Sequence, residues 1–340
     1  MDAAALLRFL LDAPGEGAAL LAITAVIGTS SRALGSLMAV KAGGSCFGSL
    51  SGGCVEAAII GEAQRVIATG RAETIRFGQG SRMVDIRLPC GGGLDVLICP
   101  ISPQMAGPRR ACEWLQGRRA ATLLIGPEGR LAARPGQDED EPGWEDDVFA
   151  APLLPRLQLA IAGHGAETLA LAKLASGFGA GVTVLSPDET ILAAAAGLGA
   201  ETLLMQRRGH VPAFPADRHT AVVVLFHDHE WETALLAHTV RQDAFFIGAM
   251  GSSTTQARRL SALAMMGMEE AALARITGPV GLIHAARDPE TLALSALGQV
   301  VSVYRAELAR RRAAPPARGA RVRDYPVTLD KILPCPPQPV

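Results

Sequence analysis

The chain has 340 residues, 49% of them hydrophobic, and a formal net charge of -1. That length fits about two domains with real apolar cores, the near-neutral balance argues against a general nucleic-acid binder, and no apolar run reaches the roughly 18–20 residues of a membrane span. The cysteines, at 46, 54, 90, 99, 112 and 335, are scattered without a C-x-x-C pair, which fits reduced cytoplasmic thiols better than a disulfide framework and excludes a zinc ribbon.

The N-terminal stretch carries Asp2, no basic cluster and a short apolar run, so a small amphipathic helix is expected there rather than a signal peptide. Residues 1–105 read as a first α/β domain. Ala19–Ile27 is an apolar run, a buried strand ending at Gly28-Thr29-Ser30-Ser31. Leu37–Lys41 and Ser45–Ser49 read as strands joined by a hairpin turn at Ala42-Gly43-Gly44. Ser49-Leu50-Ser51-Gly52-Gly53-Cys54-Val55-Glu56 then runs into an apolar-periodic segment, a helix over about 54–69 stopped by Gly70. Glycines at 52 and 53 let a ligand approach the main chain. A thiol at a helix N-terminus is shifted toward thiolate by the unpaired N–H groups and the helix dipole. The stretch therefore offers an anion cradle with Cys54 at its centre. Glu73–Phe77, Val84–Leu88 and Leu94–Cys99 complete the strands, interrupted by Pro89-Cys90-Gly91-Gly92-Gly93, a second glycine-rich loop with a cysteine. A free cysteine is also a small core hydrophobe, and that reading stands beside the functional one for Cys90. Core packing is expected for Cys46 and Cys99, and neither Cys112 nor Cys335 is a candidate.

Residues 106–155 read as connecting structure: a hairpin over 121–133 turning at Gly126-Pro127-Glu128-Gly129, then an acidic solvated loop from Asp138 to Asp147 that marks a domain boundary. Residues 156–312 read as a doubly wound α/β domain with a Rossmann-like parallel sheet. Leu157–Ala162, the turn Gly163-His164-Gly165, a helix over 166–178 and a strand at 182–185 form a βαβ unit with G-x-G in place. Thr168 stands where the third glycine of the dinucleotide fingerprint would be, and Asp188 lies beyond the second strand rather than at its end. Phosphate binding at this helix start is expected; recognition of an NAD ribose is not. Strands at 201–205 and 221–226 follow, the second leading into His227-Asp228-His229-Glu230, with Asp228 as N-cap and His227 lining a ligand crevice. Phe245–Met250 leads into Gly251-Ser252-Ser253-Thr254-Thr255, a hydroxyl-rich helix start with Arg258 and Arg259 close behind. These are the parts of a phosphate or carboxylate site, and equally of an ordinary capped helix with surface arginines. A helix from about 289 to 312 closes the domain. Residues 313–340 form a Pro/Arg-rich tail that cannot pack a core and is expected to be mobile.

GTSSRALGSLM with GSLSGGCVEAAI, then LPCGGGLDVLI, then HDHE, FFIGAMGSSTTQARRL and GPVGL together resemble the XdhC/CoxI family, accessory proteins of molybdenum hydroxylases such as xanthine dehydrogenase. The resemblance covers roughly 15–105 and 156–305. It implies a cytoplasmic, usually dimeric chaperone rather than an enzyme, with an XdhC-type α/β domain followed by a Rossmann-like one. Such a protein binds the molybdenum cofactor, as molybdopterin or its cytosine dinucleotide form, supports its sulfuration with a cysteine desulfurase, and inserts it into an apo molybdenum hydroxylase. The chain departs from the family's usual pattern at Arg32-Ala33-Leu34-Gly35, at Leu282–Ala286 and at Ser186-Pro187-Asp188.

The residues fit that implication. Thiolate is a soft ligand suited to a metal–sulfur centre, so Cys54 and Cys90 are the candidate metal or sulfur contacts. Ser30, Ser31, Ser51, Gly52, Gly53, Glu56, Gly91 and Gly92 surround them in the first domain. Gly163, His164, Gly165, His227, Gly251, Ser252 and Ser253 are the cofactor-binding candidates of the second. Two other functions stay open: a nicotinamide-dependent oxidoreductase, suggested by G-x-G but lacking a proton-donor pair around Tyr304, and a scaffold for a desulfurase and hydroxylase that binds no cofactor.

Overall fold

The computed structural model describes residues 2–12, 17–53, 55–81, 91–102 and 105–313, with the side chain of His229 left out. The chain divides into two compact units, one running to Pro155 and one spanning Arg156–Arg311. The first begins with helix α1 (Ala3–Leu11), capped by the Asp2 carboxylate accepting from Ala5 N–H at 3.0 Å. Strands β1 (Ala18–Ile27), β2 (Leu37–Lys41) and β3 (Cys46–Gly48), helix α2 (Glu56–Thr69), and strands β4 (Glu73–Gly78) and β5 (Gly93–Ile101) follow. The strands form an antiparallel sheet in the order β3-β2-β1-β5-β4. Its central strand is buried on both faces, which is why β1 reads as a continuous apolar run rather than an alternating one. Leu20 and Ala22 face one core with α1; Leu21 and Ile23 face another with Ile59, Ala63 and Val66 of α2. Gly70 ends α2 in the left-handed conformation, as expected. The strand expected at Val84–Leu88 and the tail beyond 313 lie outside the described residues.

Residues 106–155 are not connecting structure. They form helix α3 (Ala106–Gln116) and strands β6 (Ala121–Ile125), β7 (Leu131–Pro135), β8 (Gly143–Glu145) and β9 (Val148–Leu153), a second antiparallel sheet in the order β7-β6-β9-β8. The expected hairpin is there as β6–β7, but it belongs to a folded layer. Leu123, Ile125, Phe149 and Ala151 share one core with Leu6, Leu10 and Leu115. The acidic stretch is tied down too: the Thr122 hydroxyl donates to Asp140 at 2.7 Å, and Arg134 pairs with Glu145 at 2.7 Å. Asp138 is buried. Cys46 also departs from expectation. It is exposed, because β3 is a three-residue edge strand whose Phe47, 6.0 Å from Phe9, does the packing. Cys99 is buried as expected, and burial pushes its thiol up to about 12.

The second unit runs β10 (Gln158–Ala162), α4 (Ala166–Phe178), β11 (Gly181–Ser186), α5 (Glu189–Gly197), β12 (Glu201–Leu204), β13 (Thr220–Val224), α6 (His229–Thr239), β14 (Phe246–Ala249), α7 (Ser253–Met265), α8 (Glu270–Leu273), β15 (Ile276–Thr277) and α9 (Pro289–Ala313). Its strands are parallel, in the order β12-β11-β10-β13-β14-β15. Counted from β10, that is the 3-2-1-4-5-6 order of the Rossmann fold, with the reversal between β10 and β13. Apolar strands separate two cores, one on each face.

Candidate functional site

In the first unit the candidate residues converge where β1 ends and β5 begins. Ile27 pairs with Gly93 across the ladder. Gly28 takes a φ of +66°, and a Cβ on Gly92 would lie 2.1 Å from the Thr29 carbonyl oxygen. The Gly28–Ser31 turn and Gly92 thus interlock backbone to backbone. The Ser31 hydroxyl donates to the Ser51 carbonyl at 3.2 Å, joining this turn to the loop before α2. Arg32 adds a second tie: its Nε donates to the Ser49 carbonyl at 3.1 Å and its Nη2 reaches the Ser49 hydroxyl at 3.4 Å. Its own N–H donates to the Ser30 hydroxyl at 3.0 Å.

The expected anion cradle exists, but the protein's own carboxylate fills it. Glu56 accepts from Leu50 N–H at 2.9 Å, from Ser51 N–H and Gly53 N–H at 3.3 Å each, and from the Ser51 hydroxyl. Burial by itself would raise the Glu56 carboxyl; donors from Ser49, Ser51 and Gly53 outweigh it and hold the group below its ordinary value. Glu56 therefore faces its own loop. The Ser51 hydroxyl also accepts from Val55 N–H at 3.1 Å, and Gly52 N–H donates to the Ser49 hydroxyl at 3.1 Å. Ser51 is buried, whereas Ser31, Arg32, Gly52, Gly53 and Gly91 are exposed. Cys54 and Cys90, the two expected metal contacts, lie outside the described residues. Arg32, noted in the sequence only as a departure from a pattern, is the exposed cation of this rim, and its described partners on Ser49 are neutral.

In the second unit Gly163-His164-Gly165 stands at the carboxyl end of β10, at the switch point. A Cβ on Gly163 would lie 2.3 Å from the Thr168 hydroxyl oxygen and 3.2 Å from Leu225 Cβ, so this position is closed to larger residues. Gly165 caps α4 with no side-chain bond. His164 packs on Phe226, ring centroids 5.4 Å apart, and Phe226 stacks on Trp231 at 6.2 Å. A cavity of about 460 Å³ opens here, with His164, Asp188, Glu189, Asp228 and Trp231 on its walls. Asp188 caps α5, accepting from Thr190 N–H at 2.8 Å, and Asp228 caps α6 and pairs with Arg208 at 2.9 Å. His227 is exposed, its Nε2 3.8 Å from a Glu167 oxygen. Trp231 and Glu189 carry no sequence signal as wall residues; their place follows only from the helices that start at the strand ends.

The hydroxyl-rich start of α7 is exposed and capped by its own side chain. Ser252 accepts from Thr255 N–H at 3.1 Å, and a Cβ on Gly251, at φ +140°, would meet the Thr255 side chain at 2.7 Å. Arg259 is neither a surface residue nor an anion ligand. It is buried, its Nε and Nη2 each 3.0 Å from a Glu232 oxygen, and its Nη2 donates to the Met250 carbonyl at 2.7 Å. Among the described residues no group of three or more His, Cys, Asp or Glu side chains is placed to hold a metal ion. Tyr304 is also accounted for: its hydroxyl lies 2.9 Å from His219 Nδ1, at the amino end of β13 and so at the end of the strands opposite the cavity.

Comparison with known proteins adds relatives over most of the chain. A family model described as XdhC and CoxI family matches residues 11–78, and one described as XdhC Rossmann domain matches residues 159–300. A protein named molybdenum cofactor insertion chaperone PaoD, from Escherichia coli (strain K12), is 33% identical over 310 residues, 89% of each chain. A probable xanthine dehydrogenase subunit from Bacillus subtilis (strain 168) is 25% identical over 320 residues, 84% of this chain and 93% of that one. The crystal structure of a xanthine dehydrogenase from Bacillus halodurans superimposes with a TM-score of 0.74 at 20% identity, over 93% of this chain and 98% of that one, and shares the fold.

Proposed function

This chain belongs to the XdhC and CoxI family, and we propose that it is a chaperone that carries the molybdenum cofactor and inserts it into an apo molybdenum hydroxylase. The observation that carries the reading is the likeness to the insertion chaperone over 89% of both chains, which takes in both units rather than the Rossmann half alone. In the finer form of the proposal, a cysteine desulfurase supplies sulfur to the bound cofactor, and the carrier works in the cytoplasm as a homodimer.

The cargo is an anionic pterin with a soft metal–dithiolene end. Because Glu56 already occupies the amides of Leu50, Ser51 and Gly53, an anionic group of the cargo falls to the exposed rim, where the Arg32 guanidinium supplies charge and Ser30 and Ser31 supply hydroxyls. Cys54, next in the chain after Gly53, supplies a soft thiolate for the metal end, and Cys90, preceding Gly91, is its companion. Glu56 acts through the loop: it fixes the Ser49–Gly53 backbone from which Cys54 departs. The oxidoreductase alternative lacks support at the point it needs it, since Tyr304 is committed to His219 at the amino ends of the strands.

Purification from a host that makes molybdenum cofactor, followed by denaturation, oxidation and assay of fluorescent pterin, tests this. Near-stoichiometric pterin is expected in the wild type and its loss in Cys54→Ala. Pterin in both would remove the thiol from the site while keeping the carrier. None in either, with a molybdoenzyme in the same cells loaded, would overturn the carrier reading.

A further inference from the structure

We infer that the β8–β9 hairpin is the docking surface for the apo hydroxylase: its half-exposed Trp144, ringed by acids, fits a protein surface that presents lysine or arginine side chains around an apolar cleft. This deepens the chaperone reading and rests on it.

The hairpin is short and firmly held. Glu145 pairs with Val148 across it, which leaves a two-residue turn with Asp146 at φ +52°. Two-residue turns with positive φ match the twist of the flanking strands. Arg134 pairs with Glu145 at 2.7 Å, and Arg130 pairs with Asp147. Trp144 lies opposite Phe149 in the ladder, and the two rings meet edge to face with centroids 5.5 Å apart. Phe149 is fully buried in the core shared with α1 and α3, yet Trp144 is 47% exposed.

An indole held in this way has already lost much of its rotamer freedom, so little more is lost when a partner covers it. Tryptophan is among the residues that dominate binding at protein interfaces. β8 is also the edge of its sheet. Charges on an edge strand guard it against stray pairing; a half-exposed indole among them works the other way, and a partner explains it.

Charge narrows the partner. From Gln137 to Asp147 the sequence holds seven acidic residues and no basic one. Asp138 is buried, Asp140 accepts from the Thr122 hydroxyl, and Glu145 and Asp147 hold arginines. Glu139, Glu141 and Asp146 are exposed, with no ion-pair partner among the described residues. The indole thus stands in uncompensated negative charge. Lysine or arginine side chains complement that field, and a guanidinium also stacks on an indole face.

Position selects the hydroxylase. A Cβ on Gly35 would lie 2.5 Å from Pro142 Cβ, two residues before Trp144. Gly35 ends the loop that carries Ser30, Ser31 and Arg32, and Leu34 beside it is exposed. A protein seated on Trp144 and Leu34 therefore borders the rim that holds the anionic group of the cargo. The recipient must stand there at the moment of transfer.

Titration calorimetry with the full chain tests this. The probe is an apo molybdenum hydroxylase of the xanthine dehydrogenase type, made in a host without molybdenum cofactor and chosen because the pterin-loaded chain activates it. Trp144→Ala is expected to weaken binding at least about tenfold, the scale of one dominant interface side chain. Glu139→Lys with Glu141→Lys leaves the indole and its core contact in place. It is expected to weaken binding about tenfold at low salt and to reduce the salt dependence. Pterin retention is expected to stay at the wild-type level in both. Wild-type affinity in either variant, with the wild-type chain still activating the hydroxylase, overturns the inference and leaves the chaperone reading standing. A dimer that dissociates in Trp144→Ala, seen by sedimentation of the free chain, assigns the surface to a second copy and overturns it as well. A loaded chain that activates no such hydroxylase removes the chaperone reading, and this inference with it.

Discussion

Glu56 shows how one side chain can turn a ligand-binding pattern into a self-contained one. An amide-rich Ser-Gly-Gly loop before a helix suggests a place for an external anion, and here the acid beginning that helix takes the place itself. The signal is present in the sequence, since an acid in a helix's first turn commonly satisfies nearby amides. Glu56→Gln replaces an acceptor of several N–H and O–H donors with an amide that donates in turn, and is expected to cost about 1–3 kcal/mol. The pH dependence follows from the lowered carboxyl. The carboxylate's contribution is fully present above the ordinary value of 4.5 and is lost as pH falls through the lower folded value. Urea midpoints of wild type and variant should therefore converge below about pH 4.5; a gap independent of pH would mean the carboxylate is not the source. Gly92 makes a second case. A methyl group there meets the Thr29 carbonyl at 2.1 Å, backbone against backbone, so Gly92→Ala should cost about 3 kcal/mol or more. Gly61→Ala, in α2 with nothing within 4 Å, should instead stabilise by about 0.5–1 kcal/mol. Thermal melts of the two variants read both signs.

At the scale of elements, what is legible in the sequence has a local cause. The unit β10–α4–β11 is readable to within a residue because an apolar run, a glycine turn, a helix and a capping Gly179 follow one another without interruption. The four-stranded sheet of residues 121–153 is not, because its strands are short and separated by polar turns, and the partners that bury them, α1 and α3, cannot be seen from within the segment. Arg259 misleads for a similar reason. Next to a hydroxyl-rich helix start it resembles an anion ligand, but its partner Glu232 lies 27 positions upstream on another helix. That pair joins α6 to α7 with both side chains almost fully buried. Breaking it strands a buried charge, so Glu232→Gln or Arg259→Met should each cost about 3–5 kcal/mol, while the apolar double variant Glu232→Leu/Arg259→Met should recover much of the loss. A double-mutant cycle by chemical denaturation measures this. Single variants that unfold as easily as the double would show that packing, not the ion pair, sets the stability there.

For the whole molecule, the boundary at Pro155 divides the cores cleanly. The Rossmann unit holds two cores, one on each face of a complete six-stranded sheet, built from residues 157–300. A fragment of residues 156–313 therefore carries everything its strands pack against, and is expected to unfold cooperatively by itself. The first unit behaves differently when shortened. Cutting at 105 leaves the five-stranded sheet and α1 but removes α3, β6 and β9, and with them Leu115, Leu123, Ile125, Phe149 and Ala151 from the core that holds Leu6, Leu10, Leu20 and Leu97. Fully burying one such aliphatic side chain is worth about 1.5–3 kcal/mol, and a domain's net stability is only about 5–15 kcal/mol. Residues 1–105 should thus be soluble only as a loosely packed or aggregated species, and residues 1–155 should fold. Urea unfolding of the three fragments followed by circular dichroism and intrinsic fluorescence decides the matter. A cooperative 1–105 fragment as stable as 1–155 would mean that the four-stranded layer is an addition to a complete domain rather than half of its core.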